Sequence, residues 1–147
     1  MEKIYTCNWK LAAILIALVI LFCTGVGMGV PLLNILFGLP IGWWAAARCL
    51  RRYPKTSQVL SATMLISALA ASFTLILMII IWAPALGMLW DPQADLANFG
   101  IPLILYDPLW SFLGWQALMI LVSPFLQFLM SLLGAFLQLL VWHSRKD

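Results

Sequence analysis

Three long stretches of this chain, 11–47, 56–90 and 108–144, contain no Asp, Glu, Lys or Arg. One membrane-spanning helix needs about 20 apolar residues to cross roughly 30 Å of hydrocarbon. Each stretch exceeds that, and a water-soluble core of this size could not hide so much apolar surface. The composition agrees: 65% of residues are hydrophobic and 9% charged, against about 25% charged in soluble domains. The expected fold class is therefore an all-α integral membrane protein, one transmembrane domain over 1–147.

The first stretch has room for two short crossings if it reverses near its middle. Gly25, Gly27, Gly29 and Pro31 form a chain-reversal cluster there. The expected helices are about 10–27, 31–49, 56–83 (ended by Pro84) and 108–143, a four-helix bundle, with a re-entrant hairpin as the alternative for the first pair. The N-terminal run is read as retained rather than as a cleaved signal peptide, because no small-x-small site follows it.

Parity of the spans is set by charge. All eight basic residues fall at the N-terminus (Lys3, Lys10), in the middle loop (Arg48, Arg51, Arg52, Lys55) or at the C-terminus (Arg145, Lys146). Four crossings place these three regions on one side, and lysine and arginine are retained in cytoplasmic loops. Both termini are thus expected in the cytoplasm, with a bacterial plasma (inner) membrane as the expected location. The same bias accounts for the net charge of +3, so no nucleic-acid partner is inferred. Aromatic residues segregate as interfacial anchors would: Trp9, Trp43, Trp44, Tyr53 and Trp142 at the inner side, Trp82, Trp90, Tyr106, Trp110 and Trp115 at the outer.

The outer loop, 84–107, repeats an aromatic-Asp-Pro triplet at Trp90-Asp91-Pro92 and Tyr106-Asp107-Pro108. Aspartate caps helix N-termini and proline suits the first helical position. A short interfacial helix is expected from Asp91 to about Asn98 with Gly100 at its end, and Asp107 is expected to start the last long helix. A catalytic or cation site at Asp91, Asp95 and Asp107 is the lesser reading. Neither catalytic residues nor cofactor or metal ligands are assigned. His143, Cys7, Cys23 and Cys49 form no metal-ligand pattern; Cys7 and Cys49 are weak candidates for acylation or oxidation.

Polar residues inside the spans say more. Gln116, Gln127 and Gln138 recur every eleven residues, close to three helical turns, with Ser123, Ser131 and Gly134 near the same stripe. Such a face should meet protein or water rather than lipid. Either it packs against other helices or it lines a polar groove. Gly38, Gly42 and Ala46 form a small-xxx-small run, as do Ser57 with Ser61 and Ala68 with Ser72, and such runs let helices approach closely. Pro40 frees a carbonyl that Asn34 could meet, unless Asn34 lines a cavity. Ser123-Pro124 should kink or break the last helix. Arg48, Arg51, Arg52 and Lys55 serve as topogenic residues or contacts for lipid headgroups.

The function expected on these grounds is non-catalytic: a small multi-spanning subunit or interaction partner in a membrane complex or homo-oligomer, with lipid and other membrane helices as partners. A small transporter or channel along the glutamine stripe is the alternative. A membrane enzyme using the outer-loop carboxylates comes last.

Overall fold

The computed structural model describes residues 9–27, 30–98, 100 and 102–144. Lys3, Cys7, Ile101, Arg145 and Lys146 lie outside them. Among the described residues the chain is helical, without a strand: α1 (Trp9–Val26), α2 (Leu32–Arg52), α3 (Thr56–Trp82), α4 (Pro108–Ala117) and α5 (Ser123–Ser144). Three continuous helical runs, Leu32–Arg52, Thr56–Trp90 and Pro108–Ser144, are long and apolar enough to cross a membrane. The 18 residues of α1 reach about 27 Å at 1.5 Å per residue, just under the hydrocarbon thickness.

Polarity is arranged inside out. The buried side chains include Thr24, Asn34, Thr63, Ser67, Thr74, Ser111, Gln116, Ser123, Gln127 and Ser131, while Leu, Ile, Phe and Trp side chains cover the exposed wall of every helix. In water the wall would aggregate; in lipid it is the solvated surface and the polar groups bond inside. This is the surface of a membrane protein.

The helix directions follow from named contacts. Between α1 and α2 the chain turns tightly, with Val30 N–H donating to Gly27 O at 2.8 Å. The turn brings Asn34 Nδ2 within 2.7 Å of Thr24 Oγ1, so α1 and α2 run antiparallel. Asn34 is thereby spent on α1 rather than on the carbonyl opposite Pro40, and α2 runs through Pro40 to Arg52. The α2–α5 contact is the most extensive in the molecule. Gly38 lies against Gln127, Gly42 against Ser131, and Gly134 against Leu39 and Trp43. Numbering rises together on both helices, so they are parallel, and α3 returns antiparallel to both. Consequently Lys10, Arg48, Arg51, Arg52, Lys55 and His143 share one end of the molecule, and Asp91, Asp95 and Asp107 the other.

Two expectations about helix ends are corrected. No helix forms over Asp91–Asn98. The 3₁₀ segment sits earlier, at Ala83–Trp90, with Pro84 in its first turn. Pro84 cannot donate to the α-helical ladder, so the chain tightens into the shorter repeat instead of stopping. Beyond it, Asp91 accepts from Gln93 N–H at 3.0 Å and Asp95 accepts from Ala97 N–H at 3.0 Å. The carboxylates build isolated turns because they bond the backbone two residues on. Gly100 does adopt a left-handed φ of +94°, but in the loop rather than at a helix end. The second correction is partial: of the kink or break expected at Ser123-Pro124, the break does not occur, and the helical run continues to Ser144. A π-helical turn, Leu118–Val122, joins α4 to α5, with Ser123 N–H donating to Leu118 O. Ser123 Oγ also donates to Met119 O at 2.6 Å. Proline removes one backbone donor and crowds the carbonyl four residues back; widening the preceding turn accommodates both.

Candidate functional site

The densest chemistry lies where α5 meets α2 and α3. A Cβ on Gly38 would overlap the Gln127 carbonyl, one on Gly42 the Ser131 carbonyl, and one on Gly134 the Leu39 carbonyl. Only glycine permits backbones this close, and Ala45, Ala46 and Ala135, each at most 1% exposed, extend the seam. Beside it, Ser131 Oγ lies 2.7 Å from Ser67 Oγ of α3. One serine hydroxyl thus joins the third helix to a glycine seam between the other two.

Of the stripe residues, Gln116, Ser123, Gln127 and Ser131 are buried and Gln138 is half-buried. Gln127 sits among α2 and α3 at the level of Gly38. Gln116 lies across the π turn in α4. Neither amide has a hydrogen-bond partner among the described residues, nor does Asn34 Oδ1. Gln127 is 1% exposed, and its carbonyl lies against Gly38. Four of these five stripe residues are thus buried, and the amides of Gln116 and Gln127 are unsatisfied.

A second feature had no signal in the sequence. Between α1, α2 and α3 lies a half-enclosed slot of about 270 Å³, almost wholly apolar, lined by Ala12, Ala13, Ala17, Trp44, Ile66 and Phe73 among others. It ends against the cluster of Ile20, Ile41 and Ala70. The slot exists because α1 carries alanine where it faces Trp44 and α3, so α1 touches its neighbours sparsely. A hydropathy pattern registers alanine as apolar and says nothing about the volume it leaves unfilled.

At the basic end, Arg48 stacks over the Trp44 ring with 4.6 Å from its guanidinium carbon to the centroid. Arg52 lies 5.9 Å from the Tyr53 ring. Arg51, Arg52 and Lys55 are exposed and Arg48 half-buried, whereas Cys49 is fully buried, which removes it as a surface thiol. His143 Nδ1 lies 2.9 Å from Leu139 O, one turn back on its own helix.

At the opposite end the three aspartates do not converge. Asp107 caps α4, accepting from Leu109 N–H at 2.8 Å and Trp110 N–H at 3.2 Å. Asp95 accepts from the Asn98 side chain at 2.7 Å, and that bond, with the Asn98 and Ala97 backbone N–H groups, holds its carboxyl below the usual carboxylate range. No three His, Cys, Asp or Glu among the described residues come close enough to hold a metal ion. The loop is folded back on α4 by Trp115 Nε1 donating to Pro102 O and Ile104 N–H donating to Ser111 Oγ, both at 2.9 Å.

Compared with protein-family models, curated proteins and solved structures, the chain matches none.

Proposed function

We propose that the chain is a non-catalytic membrane protein of four crossings that works as a helical subunit, joining other membrane helices in a homo-oligomer or a larger complex. Both termini lie in the cytoplasm, and the membrane is a bacterial plasma membrane. The separation of cations and aspartates to opposite ends supports the orientation, since lysine and arginine stay on the cytoplasmic side.

The observation that carries the association is on α3. Ser57, Ser61, Ala68 and Ser72 are all exposed on its outer wall. Small side chains turned toward lipid cover little apolar surface, but they let another helix come close. The Gly38, Gly42 and Ala46 run on α2 has the same spacing and is covered by α5; the α3 run has no cover from the described residues. The test is single-molecule subunit counting in lipid bilayers at falling protein-to-lipid ratio. The wild type should remain oligomeric, and Ala68→Leu with Ser72→Leu should drive it to monomer. A wild type that is monomeric at every dilution, and that forms no defined complex when purified with its native membrane, would sink the reading.

A small transporter or channel is the second reading, favoured by the buried amides of Gln116 and Gln127 that lack partners among the described residues. Polar groups kept unsatisfied inside a membrane protein mark pathways for water or solute in many transporters. It requires that Gln127→Leu abolish solute flux into liposomes while assembly persists; unchanged flux removes it.

A further inference from the structure

The slot between α1, α2 and α3 has the shape of a site for something thin and apolar. Its volume of about 270 Å³ falls just below the roughly 300–1,000 Å³ of small-molecule sites. From Ala12 to Ile20 it runs along nine residues of α1, about 12 Å end to end at a rise of 1.5 Å per residue. It lies parallel to the helices and offers almost no polar group along its length. A solute with hydrogen-bonding needs would be stranded there.

The mouth is different. Trp44 lines the slot and carries Arg48 on its ring face at 4.6 Å. That stacking holds the guanidinium beside the opening, where its planar fork can meet phosphate oxygens in bidentate fashion. Lys10 lies two residues before Ala12 on α1, and Arg51, Arg52 and Lys55 stand at the same end. Among the described residues every acidic side chain lies at the other end of the molecule, and the charged ones at the mouth are basic.

We infer that the slot binds one acyl chain of an anionic phospholipid, with the lipid phosphate held at the mouth by Arg48. The combination of an apolar trench and an aromatic-stacked arginine at its basic end selects this occupant over a partner helix. A helix is about 10 Å wide with its side chains and would not enter so narrow a trench. The inference is independent of the assembly reading, which rests on the opposite wall of α3.

The test uses the full-length protein, stripped of lipid in detergent and offered phosphatidylglycerol or phosphatidylcholine with identical acyl chains, with bound lipid counted by native mass spectrometry. The wild type should retain a single phosphatidylglycerol in preference to phosphatidylcholine. Arg48→Gln should lower that preference about fivefold while the chain still binds. Ala17→Phe, which fills the slot, should abolish retention, whereas Leu18→Phe, on the outer wall of α1 at 54% exposure, should leave it intact. If Ala17→Phe does not fold, Ala13→Leu narrows the same slot nearer its mouth and should give the same loss. Equal retention of the two lipids by the wild type overturns the inference, as does full retention by a folded slot-filled variant. Should slot filling disrupt self-association and leave lipid retention unchanged, the slot docks a second copy of the chain and the lipid inference fails.

Discussion

The seam between α2 and α5 and the contact of α1 with α2 and α3 are both made from apolar membrane helices, yet they are opposites in construction. At the seam, Gly38, Gly42 and Gly134 bring backbone against backbone, and Ser131 bonds across to Ser67. Along α1, alanines leave the 270 Å³ slot open, and closure comes at Ile20 and at the Thr24–Asn34 bond. In lipid no hydrophobic drive draws one apolar helix to another, because acyl chains are as apolar as leucine. What separates tight from loose is then the fit of surfaces. Glycine against a carbonyl fits; alanine opposite tryptophan does not.

Four measurements break or sharpen that contrast, in order of expected effect. Gly42→Leu forces a side chain into the Ser131 backbone and should destabilise the protein by about 3 kcal/mol or more, at the top of the overpacking range. Reversible unfolding in mixed micelles measures it, and a loss under about 1 kcal/mol would mean that the seam is not close-packed. Ile20→Ala, where α1 is fully buried in the apolar cluster with Ile41 and Ala70, should cost about 2 kcal/mol, the low end for such truncations because the slot already borders the site. An effect as large as that of Gly42→Leu would erase the distinction between the two regions.

The polar links come next. Double-mutant cycles with Thr24→Val and Asn34→Leu, and with Ser67→Ala and Ser131→Ala, should each return a coupling of about 0.6 kcal/mol. The two bonds have equal length, 2.7 Å, so the loose and tight regions should differ in packing alone. A much larger coupling for one pair would show otherwise. The smallest effect is at Asp95, far from both. Its carboxyl titrates below its usual value, so the charged form favours the 95–98 turn above that value, and the contribution is lost as pH falls through the lowered one. Amide exchange at Ala97 and Asn98 should accelerate at that acid limit and, at neutral pH, in Asp95→Asn. Exchange that ignores both would break the link between the turn and the charge.

Much of the fold is written in single-residue properties. The uncharged stretches mark the helices because burial in lipid depends on each side chain alone, and the Gly25–Pro31 region turns because glycine and proline act locally. Asp107 caps its helix for the same local reason. What escaped the sequence depends on pairs. By position Asn34 could meet the carbonyl freed by Pro40 or line a cavity, but Thr24 became available only once α1 folded back. Gly38 and Gly42 mark a close contact without naming α5 as the other side. The slot is the plainest case, since a void is a property of three helices and of no residue. Asp91 misled because the same carboxylate chemistry serves a helix cap and an isolated turn, and Pro92 suits both.

The π turn at Leu118–Val122 also sets an angle. Each residue of an α-helix carries about 100° of azimuth, and a π turn accommodates about one residue more than the regular turn it replaces. It therefore absorbs an extra residue while keeping the two halves of the last span nearly in phase. Forcing the turn back to a regular ladder with all its residues kept would rotate α4 by up to about 100°. Ser111, Phe112 and Gln116, now inward, would swing toward the acyl chains, and the outer loop pinned to Ser111 and Trp115 would turn with them. Excising one residue from 118–122 would instead leave those faces where they are, so this stretch has one residue of slack that a regular helix lacks.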